Sequence, residues 1–127
     1  MKYTFKMFPL FDLSLQLNGF PMKEAKSELR KIVAFSEKEH EVFVENKKVE
    51  IVNYHLQNNA FYKDLAGMTT FTSWEDLPVL NKKNLQKPLL KRLSEGYSAK
   101  NSYVNKTSGS SGTPFIFAKD KYCHALT

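Results

Sequence analysis

A seven-residue segment near the end of the sequence, residues 107–113, constrains the fold more than any other feature. It reads Thr-Ser-Gly-Ser-Ser-Gly-Thr, with no charge and no bulky side chain. The segments on either side, 102–106 and 115–118, contain the aromatic and β-branched residues that favour strands. The sequence therefore predicts two strands joined by the 107–113 loop, which is longer than most hairpin connections and more typical of a functional loop.

The composition of this loop suits phosphate binding. Glycines let successive backbone N–H groups turn toward one point, and Ser and Thr hydroxyls add further donors. A flexible linker is the alternative interpretation, but the loop is short and Pro114 stiffens the chain that leaves it. It is not a Walker A motif, because Thr113 stands where that motif needs lysine. It is not a Rossmann motif either, because Gly109 and Gly112 supply only G-x-x-G.

The chain before the loop is predicted to be mostly helical. Apolar residues at helical spacing predict a helix over about 21–35. Ser36 and Glu39 form a capping-box pattern that opens a longer helix, ending near residues 58–59. We expect these two helices to form an antiparallel hairpin. Alternating leucines in residues 1–19 predict a short strand or an extended arm.

Two regions follow from this reading: a helical N-terminal region, 1–96, and a C-terminal region, 97–127. The first is also expected to hold a single helical turn at Trp74. The second contains the predicted β-hairpin, after which Asp120 caps a helix that begins at Lys121. That helix reaches the last residue after fewer than two turns, so we expect the chain to be part of a longer protein.

Charge and composition limit the partners of this chain. Its 127 residues suit one domain, with a net charge of +6 from 19 basic and 13 acidic residues. Only Arg30 and Arg92 are arginines, and the lysines are scattered, so we expect no nucleic-acid partner. No apolar run is long enough for a membrane helix and no signal peptide is present, so we expect no membrane partner. A single cysteine, Cys123, favours a cytoplasmic location.

The residues that most often mark metal or nucleophilic sites do not form a pattern here. His40, His55 and His124 lack metal-ligand spacing, so no metal site is predicted. Cys123 and His124 are adjacent, and neighbouring residues of a helix point to different sides. We therefore predict no Cys/His nucleophilic pair and assign no catalytic residue to this chain.

The 107–113 loop together with Pro114 resembles the phosphate-binding signature of the AMP-forming adenylating enzymes, the acyl-CoA synthetase superfamily. Most members follow this proline with Lys-Gly, whereas this chain has Phe115-Ile116. That departure is similar to the phenylacetate-CoA ligase branch, and within it to the CapK-like proteins of capsular polysaccharide biosynthesis. Residues 74–82 also resemble the W-x-x-[LI]-P-[VL]-x-x-K stretch of the branch. The resemblance covers roughly residues 37–127.

This resemblance implies an α/β parent enzyme that activates a small-molecule carboxylate with MgATP. The carboxylate attacks the α-phosphate, pyrophosphate leaves, and the acyl-adenylate is captured by coenzyme A or another nucleophile. The resemblance also implies that seven residues of the loop bind the β- and γ-phosphates: Thr107, Ser108, Gly109, Ser110, Ser111, Gly112 and Thr113. Because the lysine after Pro114 is missing, backbone N–H groups, Mg²⁺ and Lys106 are the candidates for compensating the phosphate charge.

The family's adenine- and ribose-binding motifs and its catalytic lysine lie downstream of the loop. We therefore expect this chain to be the N-terminal part of a ligase and to be catalytically inert by itself. Two alternatives involve no catalysis. One is a small basic binding module in which the loop is a linker, and the other is an interaction module that uses the 21–60 helices. Exposure of Phe115 and Phe117 would then favour self-association.

Overall fold

A computed structural model of the chain describes residues 10–109 and 112–127. These begin with helices and end with two strands and a short helix. The elements are α1 (Leu10–Leu17), α2 (Met22–Val33), α3 (Glu37–Asn58), α4 (Ala60–Ala66), 3-10 turns at Trp74–Asp76 and Leu89–Lys91, β1 (Ser102–Lys106), β2 (Ile116–Asp120) and α5 (Lys121–Leu126). A mostly helical N-terminal region followed by an antiparallel hairpin and a short C-terminal helix is the architecture predicted for this chain.

Local capping signals set the helix boundaries. The Ser36 side chain accepts a hydrogen bond from the Glu39 N–H at 3.4 Å, and the Glu39 carboxylate accepts from the Ser36 N–H at 2.8 Å. The Ser36 hydroxyl also donates to the Glu39 carboxylate at 2.6 Å, and this hydrogen bond and the one from the Ser36 N–H lower the pKa of Glu39. The predicted capping box is confirmed, and α3 ends at Asn58 as expected. No helix in the described ranges is long and apolar enough to cross a membrane.

Residues 10–17 form a helix, so the strand or extended arm predicted for residues 1–19 is wrong there, and residues 1–9 lie outside the described residues. Leucines at 13, 15 and 17 alternate, but a run this short fits a helix equally well. Side-chain contacts join this helix and the turn after it to α2 and α5. Asp12 forms an ion pair with Lys26 of α2, and Lys121 of α5 donates to the Asn18 carbonyl at 2.7 Å just beyond the helix.

The two long helices do not form the closely packed antiparallel hairpin that was predicted. Helix α2 packs mainly against α5, and its buried side chains are Met22 and Ala25. Leu29 and Val33 are 45% and 76% exposed, so the second half of the apolar stripe is not covered by α3. The hairpin prediction failed because an apolar stripe shows that a face is buried without showing which element buries it.

The β-hairpin agrees closely with its prediction. Strands β1 and β2 are antiparallel, with Ser102 opposite Asp120 and Lys106 opposite Ile116. Strand β2 begins one residue later than predicted and runs on to Asp120. The Asp120 side chain then accepts from the Cys123 N–H at 2.7 Å, which confirms Asp120 as the cap of α5.

Few apolar side chains are buried in the described part of the chain: Met22, Ala25, Val52 and Leu56. Three polar residues are buried as well: Asn59, Ser94 and Ser102. Buried polar groups must be hydrogen-bonded to avoid a desolvation cost. With such a small apolar core, these polar contacts carry much of the specific packing.

Asn59 is the main connection between the helices and the chain that leads to the hairpin. Its side-chain oxygen accepts from the Tyr62 N–H at 2.9 Å and so caps α4. Its Nδ2 group donates to the Arg92 carbonyl at 2.9 Å and lies 3.1 Å from Ser94 Oγ. The neighbouring Asn58 carbonyl accepts from the Glu95 N–H at 2.8 Å. The segment 92–95 is therefore fixed to the junction of α3 and α4.

Substitution of this residue should destabilise the fold strongly. Asn59→Ala is expected to lower the free energy of unfolding by about 2–3 kcal/mol, because it removes a helix cap and leaves buried polar groups without partners. Asn58→Ala is the matched control. It removes one side-chain hydrogen bond, to the Tyr54 carbonyl, and should cost about 1 kcal/mol or less. Urea unfolding followed by circular dichroism measures both, and equal losses would contradict the role given to Asn59.

Candidate functional site

The ends of the 107–113 loop are held by the β-hairpin. The Thr107 N–H donates to the Phe115 carbonyl at 2.9 Å, and the Phe115 N–H donates to Thr107 Oγ1 at 3.0 Å. These two bonds extend the pairing of β1 and β2 by one residue on each side. The loop therefore starts and ends at a fixed position.

Two glycines bend the loop. Gly109 has φ +70°, and a Cβ atom there would lie 2.8 Å from the Gly112 carbonyl oxygen and 2.9 Å from Pro114 Cγ. Gly112 has φ +121°, and its N–H donates to the Gly109 carbonyl at 2.9 Å. Position 109 thus requires glycine both for its left-handed backbone and for the close approach of the chain that leaves the loop.

The hydrogen bonds within the loop determine which donors are left for a ligand. The N–H groups of Thr107 and Gly112 are used internally. Those of Ser108, Gly109 and Thr113 donate to no acceptor among the described residues. Ser108 and Thr113 are also exposed and carry hydroxyls. Several N–H and O–H groups close together in a bent loop are the donors that an anion needs.

Not every residue of the predicted site can be placed. Ser110 and Ser111 lie outside the described residues, and their assignment to phosphate binding stays a prediction. Thr107 has a structural role in closing the loop, in addition to any contact that its hydroxyl makes with a ligand. Lys106, a candidate cation, is exposed at the end of β1, and its side chain makes no hydrogen bond with the described residues.

A cleft of about 360 Å³ lies beside the end of the loop. Thr113 and Pro114 line one side, and the segment from Leu85 to Leu89 together with Arg92 lines the other. Sequence reasoning did not identify Arg92, although its being one of only two arginines was a weak signal.

Arg92 is held rigidly against the hairpin. Its Nε group donates to the Lys87 carbonyl at 2.9 Å, and its Nη2 group donates to the Ile116 carbonyl at 2.5 Å. The guanidinium carbon lies 5.1 Å from the centroid of the Phe115 ring, a cation–π contact. Burial lowers the pKa of Arg92, but a guanidinium remains protonated at neutral pH.

Phe115 and Phe117 are less exposed than expected. Both are half-buried, with ring centroids 6.3 Å apart, whereas the intervening Ile116 is 45% exposed. Phe115 is covered in part by Arg92, which a sequence pattern does not reveal. Self-association through this surface stays a prediction.

A second cleft, of about 260 Å³, lies between α3 and the hairpin. His55 lines it, with its Nδ1 atom 3.3 Å from Ser94 Oγ and its ring 5.5 Å and 5.6 Å from the rings of Tyr54 and Tyr62. Burial lowers the pKa of His55. These contacts are those of a packing histidine, in agreement with the sequence interpretation.

His124 and Cys123 lie next to each other in α5. His124 stacks on Tyr103 with ring centroids 3.6 Å apart and rings 9° from parallel. Cys123, its neighbour, is half-buried where α5 begins. Over residues 10–109 and 112–127, no three or more His, Cys, Asp or Glu side chains are grouped so that they could hold a metal ion.

Comparison of the whole chain with models of known protein families, with curated proteins and with solved structures found no match. The likeness of the loop to the adenylating enzymes therefore rests on the residues of its sequence alone.

The close approach at Gly109 gives a test of the loop geometry. Gly109→Ala should disturb the loop, because its Cβ would meet backbone and proline atoms that must move. Gly67→Ala is the matched control, since Gly67 has φ +66° at the end of α4 but open space around it. It should cost only about 1 kcal/mol for the left-handed backbone. Amide spectra should show changes over 107–115 for Gly109→Ala alone; an undisturbed loop would contradict this geometry.

The buried His55 predicts a pH dependence of stability. Its pKa is lower in the folded chain than the ordinary value of about 6.5, so unfolding takes up a proton between the two values. Stability should therefore fall as the pH is lowered through about 6.5 toward the folded pKa. His55→Gln should flatten this part of the profile, whereas the exposed His40→Gln should keep it. Thermal unfolding between pH 8 and pH 5 measures the difference, and an unchanged profile for His55→Gln would refute it.

Proposed function

We propose that the 107–113 loop binds the phosphate chain of ATP, and that this chain is the N-terminal part of a cytoplasmic AMP-forming ligase related to the phenylacetate-CoA ligase and CapK-like branch. The observation that carries the proposal is the glycine turn at Gly109 and Gly112, closed on a hairpin and bordered by unused N–H groups. Because hydrogen bonds hold the two ends of the loop, the donors at Ser108, Gly109 and Thr113 can meet an anion without those ends first having to be ordered.

In such a ligase the loop would contact the β- and γ-phosphates. Negative charge grows on the leaving pyrophosphate as the carboxylate attacks the α-phosphate, and donors fixed in advance stabilise that charge. The described loop residues include no carboxylate, so Mg²⁺ would arrive as part of the MgATP substrate. Adenine, the carboxylate and the acceptor, whether coenzyme A or another nucleophile, would be bound by parts of a ligase that lie beyond this chain.

A titration of the 127-residue chain with magnesium pyrophosphate, MgATP and AMP tests the proposal. Amide signals of residues 107–115 should move with the first two ligands. Both should bind at least about tenfold more tightly than AMP, a difference of about 1.4 kcal/mol, because AMP lacks the β- and γ-phosphates.

Two controls separate a built site from a merely basic surface. Gly109→Ala should weaken pyrophosphate binding about tenfold, and Gly67→Ala should leave it unchanged, since Gly67 is at the end of α4. A short duplex DNA tests the alternative of a polyanion-binding module, whose binding would fall steeply with salt. Equal affinity for AMP and pyrophosphate, or shifts spread over the exposed lysines, would overturn the proposal.

A further inference from the structure

We infer that Arg92 supplies the cation that this loop lacks in its own sequence, and that the bound phosphate chain extends from the loop into the cleft beside it. The inference rests on the proposed function, since it names a further phosphate contact of the same site. Arg92 is distant from the loop in sequence, and folding of the chain brings it next to the end of the loop.

Arg92 lies beside the end of the 107–113 loop. Arg92 and Thr113 line the same cleft, at the place where the chain leaves the loop. The Arg92 side chain donates to the Ile116 carbonyl and lies over the ring of Phe115. Its charge is therefore held within a few residues of Pro114, after which the related enzymes most often carry a lysine.

Arg92 has side-chain N–H groups that the described residues do not use and that a ligand can accept from. A guanidinium carries five N–H groups in a planar fork. Hydrogen bonds to the carbonyls of Lys87 and Ile116 use two of them, which leaves three N–H groups without an acceptor in the described ranges. A planar fork with unused donors matches the oxygens of a phosphate and can bind two of them at once.

The electrostatic surroundings of the Arg92 guanidinium also favour an anion. None of the ion pairs among the described residues includes Arg92. Its two protein acceptors are backbone carbonyls, so its positive charge is not neutralised by a carboxylate. The side chain is also partly desolvated, which strengthens its attraction for an anion relative to that of an exposed lysine.

The backbone of Arg92 is held in place as well as its side chain. Its own carbonyl accepts from Asn59 Nδ2 at 2.9 Å, which anchors its backbone to the buried junction of α3 and α4. A cation that is held in this way loses little conformational freedom when a ligand binds. Lys87 lines the cleft too, and its exposed side chain adds a second positive charge at the rim.

The side-chain Nε–Hε signals of arginine test the inference directly, because the chain has only two arginines. Titration with sodium pyrophosphate should shift the Arg92 signal saturably, in parallel with the amides of the loop. The Arg30 signal, from the exposed surface of α2, should not move and is an internal control.

Three outcomes are distinguishable. If both the loop and Arg92 respond, the inference holds. If the loop amides shift and the Arg92 signal does not, Arg92 is not a phosphate contact, and the proposed function survives without it. If neither responds, both the inference and the proposed function are overturned.

Variants give an independent measurement. Arg92→Gln should weaken pyrophosphate binding by about 30-fold, and Arg92→Lys by about 3- to 10-fold, because lysine keeps the charge and loses the fork. Lys91→Gln removes the same charge one residue away, on an exposed side chain outside the cleft, and should change affinity less than about twofold.

A folding defect must not be mistaken for a lost contact. Amide spectra and thermal unfolding check each variant, and if Arg92→Gln does not fold, the comparison of Arg92→Lys with Lys91→Gln decides. Equal affinities for those two proteins would contradict the inference.

Discussion

The side chain of Asn59 joins the junction of α3 and α4 to the segment 92–95 that leads to the hairpin. It caps α4 through the Tyr62 N–H, and from the same buried position it donates to the Arg92 carbonyl and to Ser94. In the part of the chain that the structure describes, few apolar side chains are buried, so the hydrophobic effect alone specifies the packing there weakly. The segment that carries Arg92 is instead fixed by directional bonds, and Arg92 in turn reaches the Ile116 carbonyl at the end of the loop.

Two features of the loop region complement each other. Gly109 lets the chain fold back so closely that a side chain at that position would collide with Pro114 and the Gly112 carbonyl. Phe115 follows Pro114, where the proposed resemblance to the adenylating enzymes would place a lysine, and its ring lies against the guanidinium of Arg92. Within the proposal, this chain provides the phosphate cation from a neighbouring segment instead of from the loop itself.

Sequence patterns predicted the features that depend on near neighbours. The caps at Ser36 and Asp120 and both strands depend on nearby residues, so their predicted bounds agree with the structure to within two residues. Features that depend on distant contacts were missed. Asp12 of α1 pairs with Lys26, the Asn18 carbonyl after the helix accepts from Lys121, and the Arg92 carbonyl accepts from Asn59, 33 residues away. Which element packs against the apolar stripe of a helix depends on the whole fold, and so do the carbonyls to which an arginine donates. A local sequence pattern does not contain this information.

The central claim is that the loop and Arg92 form one phosphate site, and a paramagnetic ligand tests it most directly. Manganese pyrophosphate broadens the signals of nuclei near the bound metal. We expect the strongest broadening at the amides of Ser108, Gly109 and Thr113 and at the Arg92 Nε–Hε group, with Arg30 unaffected. Broadening that is strongest at exposed lysines elsewhere, such as Lys47 on α3, would contradict the claim and indicate only diffuse attraction of an anion to a basic surface.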